Sequence, residues 1–558
     1  MLETERERLA ELEARYPVWE NHTLWTRFCI SAEQFSQQEY VALETEVYTY
    51  AEVFEHVNEV ARSLYSLGVR PGDHVAVLLS NCAEFVFLTY ALAKIGAVKI
   101  PINAVISQTE LTHELNQADA RFFISKFLPD EAVMQKLPRI KKMVILDANP
   151  LYSPKYFIYW DEFLKLADLV PEEEVNMVSA ACQNPDGLAD IMFTSGSTSK
   201  SKGVMLTHDM LLRSAFANCY TRCFESGRRM FAPLPLFHAY SYVEGLLALQ
   251  YVGGTIIMTK SKFTPQNALR ILRDFRANDM ILIGSLVIKM LLEGDPKPED
   301  YPHLHAGYWC VSTPDWSWEA ARKAFGIQDI TTGTGMTELS SSGCMTSPTS
   351  PPDHVMKHDG APKRAGCAGV QEYNGCILTL KICDQETGEE LPPNTEGEIY
   401  YRGISVTRGY YNDLEATQRA FTADGWLKSG DLGILSADGC LKYVGRKNDM
   451  YKINGENVSP MFLDSVIGNC PLVNTAETVG VSHPKYGEVG VAFIDAKDTS
   501  EEGRQEIQKY CKDKLAKFQV PKYYFYSDSD TWPRTGTGKI TKTQLRCYAE
   551  KLLENTGG

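Results

Sequence analysis

A run of small, polar and basic residues at positions 194–203 has the composition of a phosphate-binding loop. It reads TSGSTSKSKG, with two glycines and two lysines, and it follows the apolar segment ADIMF. The N–H groups and hydroxyls of such a loop donate hydrogen bonds to phosphate oxygens, and a lysine supplies positive charge. The loop lacks the Gly-x-x-x-x-Gly-Lys-Ser/Thr spacing of a Walker loop. Taken alone, it is equally explained as a solvated linker.

Two later segments could hold a metal ion or a sugar. The segment TTGTGMTE at 331–338 combines hydroxyls with the carboxylate of Glu338, and Mg²⁺ prefers oxygen ligands, commonly one carboxylate together with phosphate oxygens. The segment GWLKSGDLG at 425–433 places Asp431 between small residues, where its carboxylate could accept both ribose hydroxyls. An aspartate that bonds its own turn is the commoner alternative.

Two basic, glycine-rich segments lie closer to the C-terminus. They read YVGRKNDMYKINGENVSP at 443–460 and WPRTGTGKITK at 532–542, and the second contains Lys539. By itself, the first segment could be an exposed basic loop, and Lys539 in the second could be an ordinary solvated charge.

Composition limits the class of protein. The chain has 558 residues, which indicates two or more domains, and 71 acidic against 56 basic residues give a net charge of −15. This balance argues against a nucleic-acid-binding protein, which needs a basic surface. The 14 cysteines are scattered without a Cys-x-x-Cys pair, which argues against zinc and against a disulfide framework.

Neither a signal peptide nor a membrane span is predicted. The N-terminal segment MLETERERLAELEARYP has the pattern of a charged helix, and the longest apolar region is interrupted by Gln250 and two glycines. We therefore expect a cytoplasmic protein with no stable membrane insertion.

The periodicity of the chain predicts an α/β fold with mostly parallel strands. Thr49 and Glu52 form a capping-box pattern, apolar residues recur at helical spacing, and Gly68 is a suitable helix stop before the apolar strand VAVLL. The same helix–strand alternation continues to about residue 345. From about 366 the alternation of apolar and polar residues predicts antiparallel β structure, followed by a small α+β region.

The order and spacing of these segments resemble the adenylate-forming superfamily, which includes acyl-CoA synthetases, luciferases and peptide-synthetase adenylation domains. The resemblance runs from about Thr49 to Arg546 and includes PLFHAYSY, which is similar to the family's acyl-pocket motif. It implies a large N-terminal adenylation domain of several subdomains at 1–448, with a β-rich subdomain at about 366–448. A small mobile C-terminal domain at 449–558 would carry the catalytic lysine, with the hinge at Asp449.

The resemblance also implies a two-step reaction. A small-molecule carboxylic acid attacks Mg-ATP to give an acyl-adenylate and pyrophosphate, and coenzyme A then displaces AMP to give acyl-CoA. The substrate is expected to be an apolar acid of the fatty, aromatic or polycyclic kind, because the expected pocket residues include aromatic and small side chains. No Phe-Asp-x-Ser segment follows PLFHAY, where amino-acid-activating relatives hold the α-amino group, which argues against an amino-acid substrate. The oligomeric state is left open, and a homodimer is one of the states considered.

Site residues are carried over from the matching motifs. The catalytic set is Lys539, Thr337, Glu338 and His238, with Glu338 as the Mg²⁺ ligand. The ATP- and AMP-binding set is Thr194, Ser195, Gly196, Ser197, Thr198, Lys202, Gly333, Thr334, Gly335, Met336, Asp431 and Arg446. The loop on the coenzyme A side contains Lys452 and Gly455, and the acyl pocket contains His238, Tyr240, Tyr242 and Val243.

Three departures from the family pattern leave alternatives open. Ser199 stands where glycine is frequent, Ser201 where proline is frequent, and Thr334 where an aromatic residue commonly stacks on adenine. A serine at the position of Ser199 recurs in some carnitine/crotonobetaine-type CoA ligases, and a ligase of that type is one alternative. An enzyme that loads an acyl carrier protein is a second, and a catalytically silent nucleotide-binding regulator is a third.

Overall fold

The fold consists of four β-sheets with helices packed around them. The computed structural model describes residues 3–147, 157–194, 200–260, 263–310, 315–350, 359–365, 375–453, 456–483, 487–534 and 540–556.

The first sheet contains seven strands and ends in the hairpin that carries the glycine- and serine-rich loop. In spatial order its strands are Phe157–Tyr159, Lys142–Ile145, Phe122–Ser125, His74–Leu78, Val98–Pro101, Leu188–Thr194 and Lys202–Thr207. Neighbouring strands are parallel except the last two, in which Thr194 lies opposite Lys202. The two ends of the predicted phosphate loop are therefore fixed side by side.

The second sheet also has seven strands and is parallel except at one edge. Its strands are Asp329–Thr331, Ala306–Cys310, Asp279–Ile283, Arg229–Phe231, Thr255–Ile257, Glu39–Leu43 and Glu46–Thr49, of which the last two are antiparallel. One hydrophobic core joins the two sheets, since it contains Val77 of the first and Ile256 of the second. The prediction of an α/β fold with mostly parallel strands is confirmed.

The third sheet is antiparallel and begins earlier in the chain than the sequence pattern indicates. Its strands are Gly333–Met336, Ser341–Met345, Asp359–Pro362, Leu441–Arg446, Leu427–Leu435, Glu396–Gly403 and Leu378–Cys383. The alternation of apolar and polar residues is visible only from about residue 366, because the first two strands are rich in Gly, Ser and Thr. The β-rich region thus extends back to Gly333.

The fourth sheet belongs to the C-terminal part of the chain. Its strands are Glu456–Val458, Tyr451–Ile453, Gly487–Ala496 and Val473–His483, and Tyr523–Tyr526 pairs in parallel with Gly487–Ala496. Its own hydrophobic core includes Val458, Leu463 and Ile507. The small α+β region expected from the sequence is present.

Helices cover the faces of the sheets. The α-helices are Glu3–Arg15, Leu24–Gln34, Tyr50–Leu67, Ala83–Lys94, Gln108–Gln117, Glu131–Met134, Trp160–Lys165, Glu172–Cys182, His208–Thr221, Ala239–Ser241, Pro265–Asp274, Gly284–Gly294, Asp315–Phe325, Leu414–Ala420, Pro460–Gly468, Glu501–Lys514 and Lys542–Thr556. Short 3₁₀ turns are Leu166–Leu169, Pro298–Asp300, Thr337–Leu339 and Ser529–Thr531, and Tyr242–Leu247 is π-helical.

The helix Tyr50–Leu67 forms as the sequence predicts. The Thr49 hydroxyl accepts a hydrogen bond from the Glu52 N–H at 3.2 Å, and the Glu52 carboxylate accepts one from the Thr49 N–H at 2.8 Å. Gly68 ends the helix with φ of 106°, a left-handed conformation that suits glycine. Every helix among the described residues is too short or too polar to span a bilayer.

Candidate active site

A cleft of about 2410 Å³ brings most of the predicted site residues together. The antiparallel sheet, the phosphate-loop hairpin and the start of the helix Ala239–Ser241 form one wall, and the C-terminal region forms the other. The predicted residues that line the cleft are Thr194, Lys202, His238, Tyr240, Gly333, Thr334, Gly335, Met336, Thr337, Glu338, Asp431, Arg446 and Asp449. Their positions range from 194 to 449 in the chain, so only the fold unites them.

Glu338 lies on a tight turn between two strands of the antiparallel sheet. The turn Thr337–Leu339 is closed by Ser340, which has φ of 63°. A Cβ atom at Gly335 would overlap the Ser341 carbonyl, so the strand approaches its neighbour more closely than a larger residue allows. This close approach presents Thr337 and Glu338 at the cleft.

The Glu338 carboxylate is buried and held by one neighbour. It is 6% exposed, and the Tyr410 hydroxyl donates a hydrogen bond to its Oε1 at 2.9 Å. Burial raises the pKa of Glu338, while hydrogen bonding to its own backbone N–H, the Tyr410 bond and the positive charges of Arg446 and Lys202 lower it. The Lys202 ammonium lies 5.0 Å from the centre of the Tyr410 ring, which links the phosphate loop to this carboxylate.

The chemistry at Glu338 fits Mg²⁺ when phosphate is present. A single carboxylate that faces a cleft is the usual protein contribution to a Mg²⁺ that is otherwise held by phosphate oxygens and water. Within the described ranges, no group of three or more His, Cys, Asp or Glu side chains could hold a metal ion by itself. The site therefore suits a metal that arrives with a nucleotide.

Asp431 and Arg446 are partners on adjacent antiparallel strands. They lie opposite each other in the register, and the Arg446 Nε lies 3.4 Å from the Asp431 Oδ1. The Tyr443 hydroxyl donates to the same oxygen at 3.3 Å. Asp431 raises the pKa of the Arg446 guanidinium above its usual range. The Asp431 side chain is 8% exposed and that of Arg446 44% exposed, so the carboxylate is fixed while the guanidinium can reach a ligand.

His238 and Tyr240 also line the cleft. The His238 Nδ1 accepts a hydrogen bond from the Tyr240 N–H at 3.2 Å and so caps the helix Ala239–Ser241. The Tyr240 hydroxyl donates to the Tyr308 carbonyl at 3.0 Å, and the two rings meet edge to face with centroids 5.2 Å apart. Phe237, Ala239 and Ile283 add apolar surface beside them.

Tyr242 and Val243 do not line this cleft, although the sequence motif places them in the acyl pocket. Both side chains are fully buried, and the Tyr242 ring packs under the Lys99 ammonium at 3.9 Å. The π-helical segment Tyr242–Leu247 begins at Tyr242. All six residues of this segment are buried, so it belongs to the core rather than to the lining of the cleft.

The junction between the two walls is a turn at Arg446–Met450. The N–H groups of Asp449 and Met450 donate to the Arg446 carbonyl at 3.0 and 3.2 Å. Lys452 follows on the strand Tyr451–Ile453, where its side chain is exposed and its N–H donates to the Glu488 carboxylate at 2.8 Å.

Several predicted residues lie outside the described residues. They are Ser195, Gly196, Ser197, Thr198, Gly455 and Lys539, together with Ser199. Arg534 and Ile540, on either side of the segment with Lys539, pair with each other and both line the cleft. The predicted roles of these residues stay predictions.

Two residues that line the cleft were missed by the motifs. Tyr410 holds Glu338, and Glu114 lies beside the phosphate-loop hairpin. Tyr410 belongs to no motif, so no sequence signal marked it. The sequence did mark Glu114, because its charged side chain falls on the apolar face of its helix, between Leu111 and Leu115.

Two family models match the chain. The model described as AMP-binding enzyme matches residues 29–411, and the model described as AMP-binding enzyme C-terminal domain matches residues 463–539. The first covers the phosphate-loop hairpin and Glu338, and the second ends at Lys539.

Individual proteins are similar over almost the whole chain. A Bacillus subtilis (strain 168) protein assigned as an acyl-CoA synthetase is 30% identical over 91% of this chain and 92% of its own length. A Mycobacterium tuberculosis enzyme, a CoA ligase for a methyl-dioxo-octahydroindenyl propanoyl group, is 30% identical over 89% and 93%. An anthranilate CoA ligase solved with anthranoyl-AMP has a TM-score of 0.84 at 23% identity, over 96% of this chain and 99% of that one, which shows the fold.

Proposed function

The chain belongs to the AMP-binding enzyme family and is an acyl-CoA ligase, and from that premise we propose that it activates an apolar carboxylic acid through an acyl-adenylate. The observation that carries this proposal is the convergence of Glu338, Asp431, Arg446 and His238 on one cleft. The same cleft is lined both by polar and charged groups and by apolar and aromatic groups.

The ribose and phosphates of ATP fit the polar and charged residues of the cleft. Asp431 is fixed by Arg446 and Tyr443 with its carboxylate able to accept ribose hydroxyls. Thr194 and Lys202 flank the loop for the β- and γ-phosphates, and Thr337 would contact the α-phosphate. Glu338 would hold Mg²⁺, which neutralises phosphate charge when bound.

The first half-reaction requires a carboxylate to approach a triphosphate of the same charge. Catalysis of such a step depends on positioning and on cations that face the developing charge, rather than on a covalent intermediate with the enzyme. Arg446 and Lys202 supply two of these cations, and Lys539 would bridge the carboxylate and the α-phosphate. A preorganised cation in a site shielded from water is worth about 3 kcal/mol of transition-state stabilisation.

The second half-reaction would use a different orientation of the C-terminal domain. Asp449 lies at the turn between the domains, where a few backbone torsions can absorb a large rotation. Rotation there would bring the loop from Lys452 to Gly455 to the cleft, beside the thiol of coenzyme A. His238, in the predicted acyl pocket, would gate that pocket as the domains alternate.

Several uncharged residues of the cleft support an apolar substrate. Phe237, Ala239, Tyr240, Ile283 and Gly284 line it, and the charged Lys289 and Glu293 line it further along the helix that begins at Gly284. The nearby carboxylate of Glu244 is fully buried and paired with Lys363 at 3.0 Å, so it is not available to a cationic acid. This arrangement favours a fatty, aromatic or polycyclic acid over one that carries a quaternary ammonium group.

A panel of carboxylic acids tests the proposal. Fatty, aromatic, polycyclic and betaine-type acids are assayed for ATP–pyrophosphate exchange and then for thioester formation with coenzyme A or a carrier-protein thiol. We expect exchange with apolar acids and thioester formation with coenzyme A. Exchange with betaine acids alone would contradict the substrate class, and no exchange with any acid by folded, ATP-binding protein would contradict the reaction.

A further inference from the structure

Tyr410 lies in a segment that connects the phosphate loop to the turn of Glu338. It forms an antiparallel bridge with Val204 of the strand Lys202–Thr207, which leaves the phosphate loop. Three residues earlier in the same segment, the Thr407 N–H donates to the Glu338 carbonyl at 2.7 Å. The backbone of this short segment is therefore bonded both to the loop hairpin and to the turn that presents the carboxylate.

The Tyr410 side chain itself contacts one charged group from each of these two parts. Its hydroxyl donates a hydrogen bond to the Glu338 Oε1 at 2.9 Å, and the Lys202 ammonium lies 5.0 Å from the centre of its ring. A cation at this distance is attracted by the negative face of an aromatic ring. One side chain thus contacts both the carboxylate proposed to bind Mg²⁺ and the lysine proposed to bind phosphate.

Local contacts fix the backbone around Tyr410. The Tyr410 N–H donates to the Thr417 hydroxyl at 2.9 Å, and that hydroxyl donates to the Asp413 carbonyl at 2.9 Å. Gly409 has φ of 120°, and a Cβ atom there would overlap the Thr417 side chain. Because Thr417 belongs to the helix Leu414–Ala420, the position of Tyr410 is tied to a helix outside the phosphate loop.

The ring and the hydroxyl of Tyr410 have separate roles. The side chain is buried, and it belongs to the hydrophobic core that joins the first two sheets. Phenylalanine would fill the same space, so packing does not require the hydroxyl. The hydrogen bond to Glu338 is what a tyrosine adds at this position.

We propose that Tyr410 is a positioning residue that aligns Glu338 and Lys202 for one metal-bound triphosphate. Its hydroxyl fixes the rotation of the Glu338 carboxylate, and its ring holds the Lys202 ammonium near that carboxylate. The inference rests on the proposed function in one respect, the binding of Mg-ATP by these two residues.

The hydroxyl and the ring act on different parts of the ligand. A carboxylate that rotates freely loses that freedom when it binds a metal, and a hydrogen bond from outside the coordination sphere removes this cost in advance. The ring contact orients Lys202, which acts on phosphate with or without a metal. Loss of the hydroxyl should therefore weaken binding of the metal complex alone, whereas loss of the ring should also weaken binding of metal-free ATP.

The test compares the binding of Mn-ATP with that of ATP in EDTA, in the absence of a carboxylic acid so that no turnover occurs. Mn²⁺ takes the same oxygen ligands as Mg²⁺, and electron paramagnetic resonance detects its bound state. Calorimetry provides both Kd values. For Tyr410→Phe we expect Kd for Mn-ATP to rise about tenfold, as for other partners that orient a metal ligand. Kd for metal-free ATP should change little.

Tyr410→Leu tests the contribution of the ring. It removes the hydroxyl and also the contact with the Lys202 ammonium, so Kd for metal-free ATP should rise by about threefold. Kd for Mn-ATP should rise further than in Tyr410→Phe. If both variants bind metal-free ATP with the same Kd, the proposed role of the ring is overturned.

Tyr411→Phe is the matched control, because it removes a hydroxyl from the next residue of the same segment. The Tyr411 hydroxyl donates to the Asp119 carboxylate at 3.3 Å rather than to Glu338. This variant should bind Mn-ATP as the wild type does. If Tyr410→Phe keeps the wild-type Kd for Mn-ATP, or if Tyr411→Phe weakens binding equally, the inference is overturned.

Glu338→Ala separates this inference from the proposed function. It should raise Kd for Mn-ATP, and adding Tyr410→Phe should cause no further loss, because the hydroxyl acts through Glu338. A further loss in the double variant would overturn the inference. If Glu338→Ala weakens Mn-ATP binding and Tyr410→Phe does not, only the inference is wrong. If Glu338→Ala leaves Kd for Mn-ATP unchanged, the metal site of the proposed function is wrong, and the positioning role is overturned with it.

Discussion

The two walls of the cleft hold their charged groups in different ways. On the N-terminal wall, Asp431 and Arg446 belong to neighbouring strands of one sheet, and the guanidinium remains 44% exposed. On the C-terminal wall, the Lys542 ammonium is enclosed between the carboxylates of Asp464 and Glu477 and donates to the Thr478 carbonyl at 3.0 Å. On the first wall, the Arg446 guanidinium is accessible to a ligand. On the second wall, the ion pairs of Lys542 hold the helices Pro460–Gly468 and Lys542–Thr556 against a strand.

This difference indicates that the two walls contribute differently to the two half-reactions. In the proposed reaction, groups on the N-terminal wall would contact parts of the nucleotide that are present in both steps, so their loss should impair both. The C-terminal wall belongs to a separate sheet that is joined through the turn at Asp449. Its groups should matter for the step that uses this orientation, which we propose is adenylation. Each prediction below compares the two steps in one variant.

The largest effect is expected from Lys539→Ala. Loss of the bridging cation should reduce adenylation by about 10²–10³-fold, the usual effect of removing one preorganised group that stabilises transition-state charge. Thioester formation from supplied acyl-adenylate should change little. Pyrophosphate exchange measures the first step and single-turnover thioester formation the second. Equal losses in both steps would contradict a role confined to adenylation.

Asp431→Ala should have the next largest effect, and on both steps. It removes the proposed ribose acceptor and the partner of Arg446, and charge-assisted hydrogen bonds of this kind are worth about 1.5–3 kcal/mol each. We expect Kd for ATP and for acyl-adenylate to rise by similar factors of about 10–100. Binding titrations of the two ligands provide the measurement. If the variant binds only one of the two ligands more weakly, the proposed difference between the walls is wrong.

Much of this arrangement follows from the sequence, for identifiable reasons. The helix from Tyr50 was predictable because its cap, periodicity and glycine stop agree, and those local signals act independently of distant residues. Thr337, Glu338 and Asp431 were marked because short motifs surround them. Their convergence depends on strand order across the antiparallel sheet, which no local pattern encodes.

The other features of the site could not be predicted, because they depend on local conformations or long-range contacts that the linear sequence does not show. The motif PLFHAYSY assigned Tyr242 to the acyl pocket, but in the structure its side chain is fully buried under the Lys99 ammonium. The strands from Gly333 to Met345 lack the alternation of apolar and polar residues, because close backbone approach at Gly335 replaces side-chain packing. Glu114 was visible as a carboxylate on an apolar helix face, but only the structure places it in the cleft.

Lys542 provides a sharper test of the C-terminal wall. Lys542→Met would leave Asp464 and Glu477 next to each other without their shared cation, and breaking a buried ion pair in this way costs about 3–5 kcal/mol. We expect a lower Tm and, at temperatures where the protein remains folded, about tenfold slower adenylation, because Lys542 begins the helix that follows Lys539. Thioester formation from supplied adenylate should be nearly unchanged.

Lys542→Arg is the control, since it keeps the positive charge and can donate to both carboxylates. It should recover most of the Tm and of the adenylation rate. A variant with methionine that loses stability but adenylates normally would show that this cluster only stabilises the domain.

The smallest effect is expected at the contact between the walls themselves. The Lys289 ammonium, on the helix Gly284–Gly294, pairs with the Asp530 carboxylate of the C-terminal region, and their side chains are 27% and 61% exposed. Such a pair contributes about 0.2–1 kcal/mol, and it can form only in an orientation that brings these two surfaces together. Lys289→Ala should therefore slow adenylation relative to thioester formation by at most about fivefold, and Asp530→Ala should do the same.

A double-mutant cycle identifies this effect as a property of the pair. The double variant should be no more impaired than either single variant, and the change in the ratio of the two rates should vanish at high ionic strength, where exposed charges are screened. Lys260→Ala is the matched control, because Lys260 pairs with Glu46 at 2.7 Å within the N-terminal region at comparable exposure. If Lys260→Ala changes the ratio as much as Lys289→Ala does, general surface charge rather than contact between the walls controls the balance of the two steps.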